Sequence, residues 1–481
     1  MATNRLRVLS GMIAFIAITA VFFLAGLSRT ESLSEEGCVR EMICTELVAG
    51  SVAGRQALFA SVWFPPLPTL LRLPIVSLLG PSGTSGVPSI LLSAFFGAAV
   101  LVLLNRALLG FNSSWYRLVA VAALALNPVF FRLCTDGSSA TASAFFALLA
   151  AFELAMWIEE RKLRRLALFA LASAIASITA PAMTAWLVLM TAVLVVHEAC
   201  RRGRKKYEMR ATLVTGLLPL VYILGLWMLA NWLIMGDFIF FLRSLPSAWR
   251  QTHPAVSGLD DLLLCLAVPT TVGIALLLIG RKMGERKWTG MAILILSAVV
   301  ASTFFISHGS PGATASSLVA TFALATMAMG RFQLACGRWD RRAVAVCIVA
   351  LTVAGSFGLL PAAEAGPEAT GPGLETISQI AEQIASESRH ARVFVCGYES
   401  FGLLGHLRDP EFVRSINFDF VDVGALYRGM ATYVLVKKPE GRSAVDTVHW
   451  KYTDLYGWGC EGAVFAADYD DWRLFELVTP R

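Results

Sequence analysis

The sequence predicts an α-helical polytopic membrane protein. It should carry about 11 transmembrane helices, an interfacial helix in the first outer loop and a small C-terminal extracytoplasmic α/β domain. Three observations predict this. Only 15% of the 481 residues are charged and 56% are hydrophobic, too little charged surface for a soluble chain of this length. The apolar residues fall in runs of roughly 15–25, long enough to cross a bilayer core as helices, and show no β-barrel alternation. Finally, Lys and Arg gather in alternate connections, as they do in cytoplasmic loops.

Residues 8–27 are the first span. They read as an uncleaved anchor, because the run is long and no small-residue cleavage site follows. The later spans are 87–104, 118–132, 138–158, 166–180, 182–197, 211–235, 259–280, 288–307, 311–329 and 343–360. The segment 67–80, "LPTLLRLPIVSLLG", is shorter and holds Arg72 and Pro74. Charge decides its place. If it lies along the outer interface, 22 basic residues fall inside and seven outside before residue 361. If it crossed, that bias would reverse. The N-terminus is therefore expected in the cytoplasm, with residues 28–86 forming the first outer loop of a membrane domain, 1–360.

Residues 361–373, "PAAEAGPEATGPG", have the composition of a linker. From residue 361 the chain carries 18 acidic and 11 basic residues, net −7, against +13 for the part before it. Residues 374–481 are expected to form the soluble domain. "LETISQIAEQIASES" has helical spacing, and "RVFVCG", "TYVLVKK" and "DWRLFELV" read as strands. Cys396 and Cys460 both fall here, and an oxidising compartment would permit a disulfide between them.

Few acids face outward. Glu35 and Glu36 follow the first span in "RTESLSEEGCVREM". The ordinary reading is a pair of helix-start residues. Asp136 lies in "LCTDGSS", a very short outer connection beside the bundle. Ionisable groups at such places are functional candidates, with capping of the span at 138–158 as the alternative. Glu41 and Glu46 are expected on the wet face of a surface helix, and Asp260 and Asp261 in the first turn of the span at 259. Glu153 is the nearest to a mid-membrane acid, about a turn from the cytoplasmic edge.

Arg55, Arg72, Arg243 and Arg250 are outer cations suited to a lipid phosphate, or they snorkel at the interface. His253 and His308 lie in outer loops, where histidine ligates metal or carries protons, although a lone loop histidine commonly does neither. Trp450, Tyr452, Tyr456 and Trp458 either stack on sugar or, more commonly, fill the core of the small domain. The nine cysteines lack metal spacing, and no P-loop, GxSxG elbow or HExxH occurs. No unambiguous metal-ligand set is present, which leaves a divalent metal open as a cofactor. The basic runs at 161–165 and 201–206 are topology signals, so no nucleic-acid partner is expected.

Several segments together resemble the GT-C-type membrane glycosyltransferases that use polyprenyl-phosphate sugars, such as the protein mannosyltransferase and lipid A aminoarabinose transferase families. "SEEGCVREMICTELVAGSVAG" is similar to their first outer loop, where an acidic pair starts a helix. "FPPLPTLLRLPIVSLLG" is similar to their interfacial helix, "LALNPVFFRLCTDG" to the helix that ends in a small acidic outer loop, and "NWLIMGDFIFFLRS" to a segment after a later span. The resemblance covers roughly residues 1–330 as an order of segments.

It implies inverting transfer of a sugar at the extracytoplasmic face, to a hydroxyl of a glycan, lipid or protein acceptor. By position Glu35 matches the family's first-loop acid, Glu36 its neighbour and Asp136 the second-loop acid. The general base is then a first-loop carboxylate within hydrogen-bond reach of the hydroxyl, and cations near the interface face the phosphate leaving group. Two departures stand out. The first acid is Glu where many members have Asp, and the Arg-Tyr pair common near the outer end of the span at 311–329 is missing. That absence motivates a second reading, a non-catalytic scaffold or polymer-handling subunit of the same fold. A transporter or flippase is disfavoured, because it would show polar or broken helices at mid-membrane.

Glu35→Gln is expected to abolish transfer in a protein that still folds. Wild-type turnover in Glu35→Gln, Glu36→Gln and the double variant would remove the first-loop base.

Overall fold

A computed structural model describes residues 2–28, 34–50, 52–60, 65–79, 86–108, 114–179, 206–239, 376, 379–380, 382–383, 392–395, 432–439, 454–460, 462–469 and 471–477. The expected spans at 182–197, 259–280, 288–307, 311–329 and 343–360 and the linker at 361–373 lie outside these residues, as do Arg243, Arg250, His253, Asp260, Asp261, His308, Cys396, Trp450 and Tyr452.

The membrane part is helical throughout the described residues. Helix α1 (Ala2–Leu27) is followed by three helices of the first loop: α2 (Glu35–Val48), α3 (Val52–Ala60) and α4 (Pro66–Leu79). Then come α5 (Val87–Ala107), α6 (Ser114–Ala125), α7 (Pro128–Thr135), α8 (Ala140–Glu160), α9 (Leu163–Ser177) and α10 (Lys206–Met235). Among the described residues, α5, Ala140–Ile158 of α8 and Arg210–Met235 of α10 are long and apolar enough to cross a bilayer. The chain is an integral membrane protein on that ground. Helix α5 packs against α1, α7 and α8, α9 lies between α8 and α10, and α2 rests on α3, α4 and the start of α5.

The expected span at 118–132 is not one helix. It breaks into α6 and α7, which meet at 62°. Pro128 cannot continue the ladder of α6 and forces the preceding residue out of the helical region. Asn127 is accordingly extended (φ −62°, ψ 122°), and its Oδ1 accepts from the N–H groups of Val129 and Phe130, capping α7. Phe22 of α1 packs edge-on against Phe130 and Phe131, with ring centroids 6.2 and 5.8 Å apart. This seats α7 at the end of α1 and delivers the next turn, Asp136–Ser139, to the start of α8.

Helix α5 begins without a side-chain cap of its own, at Gly86 in the left-handed region (φ 83°). The cap comes from another helix. Glu41 Oε2 accepts from the Gly86 N–H and Oε1 from the Ser89 N–H, each at 3.1 Å. A carboxylate suits the positive end of a helix dipole. Glu41 is thus buried, 5% exposed, where a solvated position was expected. Glu46, one turn on, is half-buried. At the far end of α8, Glu153 is also buried, and Arg165 of α9 donates to both its oxygens at 3.0 and 2.9 Å. Glu153 is therefore half of an ion pair that closes the α8–α9 hairpin.

The C-terminal part holds a four-stranded sheet, in the order β1 (Arg392–Val395), β2 (Thr432–Lys437), β4 (Trp472–Leu477), β3 (Ala463–Tyr469). The β1–β2 pair is parallel and the other two are antiparallel. The three expected strands are present. β3 and the short helix α11 (Leu455–Trp458) were not foreseen. Tyr433 to Val436 are all buried, so both faces of β2 are covered, which explains its unbroken apolar run. Cys460 is a free thiol here, and Cys396, with which a disulfide would be permitted, lies outside the described residues. Trp458 is 93% exposed rather than in the core, and half-buried Tyr456 lies under the Arg473 guanidinium at 4.4 Å.

Glu41→Ala is expected to strip two buried N–H groups of their acceptor and lower stability by about 1–3 kcal/mol, read as a lower melting temperature of the detergent-solubilised full chain.

Candidate active site

The start of α2, which carries Glu35 and Glu36, meets the turn between α7 and α8, which carries Asp136. Helix α2 begins at Glu35, capped by Ser34, whose Oγ accepts from the Gly37 N–H at 3.1 Å. Ser34 in turn donates its own N–H to the Asp136 carbonyl at 2.7 Å. Two segments about 100 residues apart are so joined through the backbone.

Close approach is possible because both partners are glycine at the contact. A Cβ on Gly37 would lie 3.0 Å from the Gly137 carbonyl oxygen. Gly137 itself takes φ +73°, which L side chains rarely adopt.

Glu36, in the first turn of α2, is committed to this junction. Its Oε1 accepts from Arg40 Nε at 2.7 Å and from the Ser139 hydroxyl. Its Oε2 accepts from the Ser139 N–H at 3.2 Å. Ser139 is the N-cap residue of α8, and its side chain makes no cap bond within α8. Glu36 therefore satisfies the start of α8 from outside, as Glu41 does for α5. Burial works against its charge, but Arg40, Arg72 and the Ser139 hydroxyl outweigh it, and the carboxyl is held below its usual pKa.

Asp136 ends α7 as its C-cap; it does not cap α8. Its Oδ1 accepts from the Ser138 N–H at 2.8 Å, an Asx turn. Burial pushes its pKa up to about 7; the Ser138 bonds and Arg132 pull the other way, and the Glu36 charge adds to the rise. One junction thus holds two carboxyl groups with opposite shifts. That is the arrangement by which one acid stays ionised while its neighbour exchanges a proton near neutral pH.

Two buried arginines brace the site from below. Arg40, 1% exposed, ties α2 to α4 through Nη1, which donates to the Pro65 carbonyl at 2.8 Å and to Thr69 Oγ1 at 2.9 Å. Arg72 of α4 is wholly buried and donates from Nη2 to the Gly137 carbonyl at 2.7 Å. It was expected among the interfacial cations, and it is instead an internal strut. Arg55 on α3 is exposed. Glu35 is placed by its backbone, as the first residue of α2. Among the described residues no cluster of three His, Cys, Asp or Glu side chains is arranged to hold a metal ion.

Arg40, Ser139 and the paired glycines were not singled out in the sequence, and Glu41 was placed on a solvated face. Arg40 was within reach, since it stands four residues after Glu36 with the spacing of a helical ion pair. Ser139 and Glu41 act across long separations and left no local signal.

No protein-family model matches the sequence, and no curated protein does. Solved structures do match. ArnT from Cupriavidus metallidurans bound to undecaprenyl phosphate aligns over 98% of this chain and 99% of its own, at 13% identity and TM-score 0.58. The oligosaccharyltransferase of Archaeoglobus fulgidus, in the apo form, aligns over 94% of this chain and 73% of its own, at 11% identity and TM-score 0.51. The chain has the GT-C fold. The archaeal enzyme AglB in complex with an inhibitory peptide and a dolichol-phosphate aligns similarly, at 11% identity and TM-score 0.50. At these identities the likeness is one of GT-C architecture, and the chemistry rests on the residues themselves.

Gly37→Ala is expected to push the Gly137 turn off α2 and cost about 1–3 kcal/mol by overpacking. Gly11→Ala, where an added Cβ meets nothing within 4 Å, is the control that should melt with the wild type.

Proposed function

We propose that the protein is a membrane glycosyltransferase. It takes a sugar from a polyprenyl-phosphate donor and passes it to an acceptor hydroxyl at the extracytoplasmic face. The observation that carries this reading is the junction of the α2 start with the Asp136 turn, on a chain with the GT-C fold. The ligands named for the neighbours, undecaprenyl phosphate and dolichol-phosphate, indicate the class of donor.

In the proposed step the acceptor oxygen attacks the anomeric carbon and its proton passes to a carboxylate. The bond from that carbon to the phosphate oxygen breaks, and its electron pair leaves with the polyprenyl phosphate. A single displacement of this kind inverts the anomeric centre. The base must be within hydrogen-bond reach and have a pKa near the working pH. Among the described carboxyl groups of the junction Asp136 fits best, since Glu36 already accepts from three donors and is held ionised. Glu35, the acid expected from the resemblance, opens the same helix and remains the competing base. Arg55, with Arg243 and Arg250, is proposed to face the donor phosphate, with His253 and His308 as further outer-loop candidates.

The alternative is a non-catalytic member of this fold, motivated by the missing Arg-Tyr pair. It predicts that the purified chain binds undecaprenyl phosphate but turns over none of a panel of undecaprenyl-phosphate sugars offered with glycan, lipid and peptide acceptors. Turnover of any member of the panel would dismiss it.

The pH dependence follows from the raised Asp136 pKa. Below about 7 the carboxyl holds its proton and cannot accept another, so kcat should rise with pH through that value. Asp136→Asn is expected to lose about 10²–10⁴-fold in kcat together with this rising limb; Glu35→Gln, which on the resemblance alone would abolish transfer, on this reading keeps activity and the limb. A limb retained in Asp136→Asn and absent in Glu35→Gln would move the base to Glu35.

A further inference from the structure

We propose that Arg72 is a positioning residue: through the Gly137 carbonyl it fixes the turn that aims Asp136 at the reacting hydroxyl. The inference deepens the transferase reading and rests on it for its kinetic part.

The geometry carries the argument. Among the described bonds, Arg72 is the side chain that reaches this turn from α4, with Nη2 donating to the Gly137 oxygen at 2.7 Å. Gly137 stands between Asp136, which offers the carboxylate, and Ser138, whose N–H holds that carboxylate. A shift of the Gly137 peptide therefore moves both. The other ties to the turn, Ser34 to the Asp136 carbonyl and Ser139 to Glu36, come from α2. The α4 strut completes a clamp from a second side.

Balancing the charge of Glu36 and Glu41 is one role of this arginine, and the Gly137 carbonyl gives it a second. The side chain is wholly buried, and its Nε and Nη1 have no hydrogen-bond partner among the described residues. Glu36 and Glu41 favour its charge, while burial and the neighbouring Arg40 oppose it. Replacing a whole buried ion pair by well-packed apolar side chains is often neutral or stabilising, whereas removing one partner leaves the other charge without its counterpart. What an apolar side chain cannot supply is a donor to the Gly137 carbonyl.

Nor does the group read as a phosphate binder: the side chain is wholly buried, away from a ligand at the outer surface.

The test uses the full-length protein in nanodiscs, with Arg72→Met and Arg72→Lys. Hydrogen exchange is followed in the peptide spanning 134–139, and kcat and KM are measured with the undecaprenyl-phosphate sugar that the wild type turns over. Arg72→Met should speed exchange in that peptide by about tenfold, the loss expected for one hydrogen bond to a charged donor. It should lower kcat by about a hundredfold, the cost of a misplaced catalytic group, with KM little changed. Arg72→Lys, which keeps one donor and the charge, should recover part of both. Wild-type exchange across 134–139 in Arg72→Met overturns the proposal, and so does a loss confined to KM. If the wild type shows no turnover at all, the transferase reading fails, and the exchange measurement still decides whether Arg72 holds the turn.

Discussion

The junction depends on one carboxylate. Glu36 accepts from Arg40, from the Ser139 hydroxyl and from the Ser139 N–H, and so joins the first loop to α8. A carboxylate that accepts several donors beside two guanidinium groups resists protonation. It can therefore serve as a permanent negative anchor at this depth. Remove the charge and Arg40 and Arg72 face each other from α2 and α4 with only Glu41 acting on Arg72 among the glutamates described there, and that carboxylate is already engaged on α5. The arginines and the glutamates are legible only as a set. Each is costly when buried alone, and together they let α2 and α4 pack against each other and on α5.

Placing Asp136 beside this anchor requires two concessions in the backbone. The first is the break between α6 and α7, where Pro128 ends one helix and Asn127 caps the next. A straight span through residues 118–132 would carry the chain past the end of α1. The second is the pair of glycines, 37 and 137, which lets a carbonyl approach the first turn of α2. Ser93 of α5 stitches the result from within the bundle: its hydroxyl donates to the Cys134 carbonyl at 3.0 Å, and its own carbonyl accepts from Thr141 Oγ1 at 3.1 Å. The turn is thus held where its polar groups find partners, as burial near a membrane surface demands.

Much of this architecture was legible because it is local. Apolar run length marked α5, α8 and α10, and runs rich in Val, Phe and Leu marked three strands. The same locality explains the misses. Residues 118–132 form an apolar run of spanning length, and hydropathy does not register a bend. Glu41 looked solvated because its partners, Gly86 and Ser89, lie more than 40 residues away. Arg72 looked interfacial because a cation on a short apolar helix is ordinarily a snorkelling one, and its acceptor is a backbone carbonyl 65 residues on. The acidic pair and Asp136 were flagged by residue type and position. Which acid is anchor and which is free to titrate depends on donor count, and donors from a distant turn leave no trace in the local sequence.

That last distinction reaches further than the individual residues. Glu36 and Asp136 meet at one junction, yet one is held ionised and the other is pushed toward neutrality. The difference does not come from depth, since both are penalised by burial. It comes from how the donors are shared. Arg40, the Ser139 hydroxyl and the Ser139 N–H all go to Glu36, whereas Asp136 keeps the Ser138 bonds and the repulsion of Glu36 itself. A second cation at Asp136 would make it another anchor, and a missing one at Glu36 would make the two acids compete for a single proton. The uneven partition leaves one half-buried carboxyl titratable near neutral pH, as a proton-accepting group requires.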